Sequence, residues 1–212
     1  MTRTTFYLIR HGESESNRRR VFTGWKNFPL TDLGVTQAKL VASALPRVDI
    51  IYSSDLDRAV MTARQISNRF SIPVLLSKNL REINAGAWEG LSYDKLVERY
   101  PDSYGTWVED IGHACPDGGE SVAEMGDRVL SALRELADRY PGKKICVVTH
   151  ATPIRAIRCM AETGSVDGLS EIPWATNASI TVCEFGEGKM HVKTYGMDTH
   201  LGKLKTNLVG NV

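Results

Sequence analysis

Two stretches decide the fold: Thr4-Thr5-Phe6-Tyr7-Leu8-Ile9-Arg10-His11-Gly12-Glu13, and Lys144-Ile145-Cys146-Val147-Val148-Thr149-His150. Each is a short apolar run that stops at a histidine. Such runs read as strands buried on both faces, the kind found inside a mostly parallel sheet. In one sheet, both histidines would stand at carboxyl ends of strands, where open α/β sheets bind their ligands. Arg10 sets a planar guanidinium beside His11, which suits a doubly charged oxyanion such as phosphate. Taken singly, either histidine reads as a hydrogen-bonded structural residue, so the rest of the chain has to supply the site.

Working outward, further strands are expected at Asp49–Ser53 and Pro73–Leu76. Two more, Ser179–Phe185 and Met190–Tyr195, flank the turn Gly186-Glu187-Gly188 and read as a hairpin. Helices fall between them. Thr31 caps one that runs toward Leu45 and ends at Pro46, and another follows Ser54 through Asp57–Phe70. Ser121-Val122-Ala123-Glu124 is a capping box. Beyond it Val122, Met125, Val129, Leu133, Leu136 and Tyr140 recur at helical spacing, which makes them core positions. Thr152-Pro153 reads as an N-cap followed by proline at the first helical position. Strands alternating with helices predict a three-layer α/β/α fold, its sheet mostly parallel with an antiparallel edge. A single domain over 1–212 is expected. A small cap excursion within 93–119 includes Tyr100–Gly119, rich in Pro, Gly, Asp and Trp, over the mouth of the site.

The composition is that of an ordinary globular protein. The 212 residues are 42% hydrophobic and 24% charged, and 26 basic against 25 acidic side chains leave a net charge of +1. That balance favours neither nucleic acid nor an anionic membrane as partner. The one local excess, Arg18-Arg19-Arg20, reads as a solvated helix end. The four cysteines form no Cys-x-x-Cys pair and no metal-ligand spacing with histidine, a pattern that fits a reducing cytosol. No segment reaches the roughly 20 apolar residues of a membrane span, and the start of the chain does not read as a signal peptide. A cytoplasmic protein is expected, its oligomeric state open, with a dimer among the options.

Three connections carry groups that could join the histidines. After Arg10-His11-Gly12, the residues Ser14, Ser16 and Asn17 can cap a helix, and Asn17 can also donate to an anion at the turn. Arg58, just beyond Ser53-Ser54-Asp55-Leu56-Asp57, would lie in a first helical turn, where a cation is unfavourable unless an anion binds nearby. Leu80-Arg81-Glu82-Ile83-Asn84-Ala85-Gly86-Ala87-Trp88-Glu89-Gly90 offers two carboxylates for general acid work, and Trp88 reads as packing. His113, His191 and His200 lack a supporting context. No phosphate loop, nucleophile elbow or metal-binding spacing is present. These parts allow a histidine to attack phosphorus.

In this order, over nearly the whole chain, the motifs resemble the histidine phosphatase superfamily, the fold of cofactor-dependent phosphoglycerate mutases. They are Arg10-His11-Gly12-Glu13, Phe22-Thr23-Gly24-Trp25, Pro29-Leu30-Thr31 with Gly34, Ser54–Ala59 with Thr62-Ala63, Glu82, Gly86, Trp88-Glu89-Gly90, Gly119-Glu120-Ser121 and Val148-Thr149-His150. The resemblance implies that His11 forms a phosphohistidine. It further implies that Arg10, Arg58 and His150 bind the phosphoryl oxygens with help from Asn17, and that Glu82 is the acid. No metal or cofactor is implied. Ala151 stands where the family usually has glycine, and its N–H would still serve phosphate if alanine tolerates the local φ. Thr23, Gly24 and Trp25 resemble a substrate loop.

That loop also keeps a mutase in view. Against it, Ile83 follows Glu82 where glycolytic mutases carry arginine. Their substrate lysine falls at Tyr93, with Lys95 nearby, and their insertion with paired arginines is missing from Tyr93–Gly119. A phosphoglycerate carboxylate left without cations would cost about 1–3 kcal/mol per lost charged hydrogen bond. The pattern is closest to the broad-specificity and α-ribazole phosphatases. A phosphatase acting on a small phosphoester is therefore the expected function, with a mutase as the alternative. A non-catalytic phosphate-binding protein is the third reading; its mark would be loss of Arg10, His11, Arg58 or Glu82, and all four are present.

Overall fold

The computed structural model describes residues 3–206. Six strands form one sheet: β1 (Thr4–Arg10), β2 (Ile50–Ser53), β3 (Val74–Leu76), β4 (Lys144–Thr149), β5 (Ile180–Gly186) and β6 (Lys189–Met197), in the order β3-β2-β4-β1-β5-β6. The pairs β3–β2, β2–β4 and β4–β1 are parallel, whereas β5 and β6 run antiparallel along one edge. The hairpin between them turns at Glu187 and Gly188, both with positive φ, the conformation of a two-residue type I′ turn. The sheet is thus mixed, mostly parallel, as expected.

Side-chain alternation along the central strands sorts the core into two layers. Phe6, Leu8, Ile145 and Val147 face one side and pack with α6 (Val122–Arg139) and α7 (Ala151–Thr163). Ile9, Ile51, Cys146 and Val148 face the other and pack with α2 (Asp32–Ala44) and α3 (Asp57–Phe70). Both faces of β1 and β4 are covered, which is why these strands read as continuous apolar runs. Ser121 and Glu124 form the expected capping box. Among the described residues, no helix is long and apolar enough to cross a membrane.

Two local expectations change. The helix after β4 has His150, not Thr152, at its N-cap, and Pro153 falls at the third helical position. Proline is tolerated there because the N–H groups of the first turn have no intrahelical partner to lose. The Pro- and Gly-containing stretch Tyr100–Gly119 also contains a helix, α5 (Pro101–Glu109), preceded by α4 (Tyr93–Arg99). Pro101 opens α5 at its first position. Tyr104 and Trp107 bury edge-on against Trp88, tying this excursion to the α6–α7 side of the core. Arg18 and Arg19 end the short helix α1 (Glu15–Arg19) and are exposed, as a solvated helix end should be.

Candidate active site

Strands β1 and β4 are paired in register up to Arg10 and Thr149, so the next residues, His11 and His150, emerge side by side. Their rings meet edge-on with centroids 5.2 Å apart. Behind His11 the chain passes close to the start of α2: a Cβ on Gly12 would collide with the Gly34 carbonyl, and one on Gly34 with the Glu13 carbonyl. These two glycines let the backbones approach and fix where His11 stands. The Gly12 N–H donates to Thr62 Oγ1 at 3.1 Å.

The hydrogen bonds assign the ring protons. His11 Nδ1 lies 2.7 Å from the Gly12 carbonyl, which can only accept, so Nδ1 carries the proton and Nε2 keeps its lone pair. Burial pushes the His11 pKa well below 6.5, helped by the Arg58 and Arg10 charges and opposed by the Gly12 bond. At neutral pH the ring is uncharged, with Nε2 free to act as a base or nucleophile. For His150, Nε2 lies 2.8 Å from Ser54 Oγ, and that oxygen already accepts the Leu56 N–H. Among the described residues Nε2 is the one acceptor within reach of the Ser54 hydroxyl proton; with that proton given to Nε2, Nδ1 is an N–H with no partner there. Burial, then the Arg58 charge, holds the His150 pKa well below 6.5 as well.

Arg10 and Arg58 are 3% and 1% exposed, so their charges are held inside the protein. Arg10 Nη1 donates to the Ala175 carbonyl at 2.6 Å, and its buried Nε has no partner. Arg58 gives Nη2 to the Gly24 carbonyl at 2.8 Å and Nη1 to that of Lys26 at 3.1 Å. Burial lowers both to about 10, partly offset by the Glu82 carboxylate, so both remain cations at neutral pH. Among the described residues neither is paired with a carboxylate, a costly arrangement that an incoming dianion would relieve.

Asn17 has the capping role expected of it, and it stands at the cavity. It closes the α1 capping box, with Oδ1 accepting from the Ser14 N–H at 3.1 Å, and it lines the cavity. Since Oδ1 also accepts from Asn177 Nδ2, its own amide N–H groups are left for the cavity. Ala151 begins α7 with ordinary helical φ, so alanine is tolerated there, and its N–H lacks an intrahelical partner.

Arg10, His11, Asn17, Arg58 and Ala151 border a cavity, lined also by Thr23, Gly24, Glu82, Tyr93, Trp107 and Trp174; His150, fully buried beside His11, is not part of the lining. Glu82 accepts the Ile83 N–H at 2.9 Å and the Thr152 N–H at 3.4 Å. Trp25 stands outside the lining, unlike Thr23 and Gly24. Gly24, at φ +53°, turns the chain, and the indole N–H finds its partner in the Glu82 carbonyl at 2.7 Å. Its ring lies under Arg81, whose guanidinium is 4.7 Å from the ring centre. His113, His191 and His200 lie away from the cavity.

The sequence reading missed Asn177. It is fully buried, and Nδ2 donates to the His11 carbonyl at 3.1 Å as well as to Asn17. In sequence, Thr176-Asn177-Ala178-Ser179 looks like a polar turn before a strand; only its partners, 160 and more residues away, reveal the role. Ser54, within a quoted motif, gained a role only from its bond to His150.

Fold and cavity together define an α/β protein with a doubly cationic pocket at the carboxyl edge of its sheet. The sequence profile of the histidine phosphatase superfamily (branch 1) matches residues 6–198, and the chain belongs to that family. Its enzyme class is phosphatase. It is 35% identical over 201 residues to phosphoserine phosphatase 1 of Hydrogenobacter thermophilus, covering 92% of this chain and 93% of that protein. It is 29% identical to the metal-independent phosphoserine phosphatase of Arabidopsis thaliana, covering 95% of this chain and 84% of that one. The solved structure of Bacillus stearothermophilus YhfR superposes with a TM-score of 0.88 at 30% identity, covering 93% of this chain and 99% of that one.

Proposed function

We propose that this protein hydrolyses small phosphomonoesters through a phosphohistidine, without a metal ion. The observation that carries the reading is the tautomer of His11: with Nδ1–H committed to Gly12, the Nε2 lone pair is left beside two buried arginines that have no acidic partner among the described residues. A phosphoryl group seated there would take N–H donors from Arg10, Arg58, His150 Nδ1 and Asn17, with Ala151 N–H at the helix start. His11 Nε2 attacks phosphorus as the bond to the leaving oxygen breaks, and Glu82 protonates that oxygen. The Glu82 carboxylate then takes a proton from water, whose oxygen attacks phosphorus and releases His11. Fixed cations and N–H dipoles supply the charge stabilisation that phosphoryl transfer chiefly needs.

Metal independence is supported by the donor set. Among the described residues, no three His, Cys, Asp or Glu side chains cluster to hold a metal ion. One relative also carries the property in its name. Hydrolysis is favoured over a mutase because the cavity lining holds no lysine and no arginine beyond Arg10 and Arg58, leaving no cation for a substrate carboxylate. Thr23 and Gly24 would meet the leaving group, whereas Trp25 would act through Glu82. Buried, unpaired Cys146, Cys159 and Cys183 support a cytoplasmic setting.

The test is a turnover screen in chelator across phosphomonoesters, with phosphoserine, α-ribazole phosphate and both phosphoglycerates included. Hydrolysis undiminished by chelator is expected. Chelator-abolished turnover, or interconversion of phosphoglycerates faster than their hydrolysis, would overturn the reading.

A further inference from the structure

Glu82 sits on irregular chain, between single helical turns at Lys78–Leu80 and Gly86–Trp88. Backbone groups outside helices and ladders need partners from elsewhere, and here one ion pair supplies most of them. Arg128, on α6, donates from Nη1 to the carbonyls of Asn79 at 2.9 Å and Arg81 at 3.3 Å, and from Nη2 to that of Glu82 at 3.2 Å. The same guanidinium holds Glu120 through Nη2 to Oε1 at 2.6 Å and Nε to Oε2 at 3.1 Å. All five of its N–H donors are thereby spent.

Glu120 closes the circuit. Its Oε1 accepts the Asn84 N–H at 2.8 Å, and its own N–H donates to the Asn84 carbonyl at 3.0 Å. The close approach depends on Gly119, where a Cβ would strike that carbonyl. The two side chains are 19% and 18% exposed, and neither lines the cavity. An exposed ion pair contributes little; this one is bidentate, largely buried, and bonded to the backbone on both sides of the acid.

We propose that the Arg128–Glu120 pair is the positioning element for Glu82. It holds the segment so that the carboxyl meets the leaving oxygen, and it takes no part in phosphate binding. Lysine cannot replace Arg128, because three donors on a point charge do not reproduce a planar five-donor fork. The proposal rests on Glu82 being the acid, and its test separates the two claims.

The experiment compares kcat/KM on 2-phenylethyl phosphate, whose alkoxide needs a proton to leave, with 4-nitrophenyl phosphate, whose phenolate does not. Glu82→Gln should lose about 10² to 10⁴ on the alkyl ester and far less on the aryl ester. Arg128→Met, Arg128→Lys and Glu120→Gln should show the same selectivity at smaller amplitude, about tenfold against about twofold, since they misalign the acid without removing it. A merely structural role would depress both esters equally. Equal losses in the Arg128 and Glu120 variants, with Glu82→Gln still selective, overturn the proposal alone; an unselective Glu82→Gln removes the acid assignment and the proposal together. If Arg128→Met does not fold, Arg128→Lys and Glu120→Gln carry the same comparison.

Discussion

Two groups of residues make the site: Arg10, His11 and His150 at the carboxyl ends of β1 and β4, which are paired in register up to Arg10 and Thr149, and Glu82 on irregular chain with Tyr93 and Trp107 on the short helices α4 and α5. The strand end takes its geometry from the sheet ladder and from glycines that admit close backbone contact. The second group has no ladder to lean on, and around Glu82 the chain is held by side-chain cross-bonds. The difference separates what this fold offers any phosphoryl group from what this chain offers a particular leaving group.

Substitutions in the two groups, the phosphate end on the strands and the leaving-group end around Glu82, should therefore fail in different ways. The largest effect is expected from Glu82→Gln on alkyl phosphates, a loss of about 10² to 10⁴ in kcat/KM that shrinks as the leaving group improves. A loss independent of leaving group would place Glu82 at the phosphate end instead. Arg58→Leu should cost about 10² to 10³ on every ester alike, as removal of a donor to the transferring group does. A leaving-group-dependent loss there would break the comparison. Tyr93→Phe should change KM a few-fold, by an amount that differs between substrates, with phosphate inhibition unchanged. A uniform drop in kcat would contradict its placement at the leaving-group end.

The smallest effect concerns stability. Both imidazoles are held well below 6.5 in the folded chain, chiefly by burial. As pH falls from about 6.5, the unfolded chain binds protons that the folded one refuses. Stability is thus unaffected by these groups above about 6.5 and falls as the solution becomes more acid. Calorimetry should record a falling Tm over that window, with a shallower slope in His150→Asn; an unchanged slope would contradict the assignment.

The same contrast governs how far the sequence could be read. Strands β1 and β4 and the caps of α2 and α6 follow from local spacing, because burial on both faces and capping chemistry leave marks within a few residues. The helix α5 was hidden by Pro101 and Gly105, which read as loop, yet Pro101 occupies a favoured first position and Trp107 buries the helix. The start of α7 was misplaced by two residues because Pro153 fits more than one position of a first turn. At the site, the strand before His11 marks its position, whereas nothing in the local sequence of Arg58 marks its burial. Asn177, Ser54 and Arg128 act across long sequence separations, and no local pattern marks such partners.

The central claim is that His11 Nε2 becomes covalently phosphorylated. Rapid acid-free quenching during turnover of a phosphomonoester, followed by ³¹P NMR of the denatured protein, tests it directly. The account predicts an acid-labile, base-stable phosphohistidine in the wild-type chain, absent from folded His11→Ala. An adduct that survives in His11→Ala, or an acid-stable one, would contradict it.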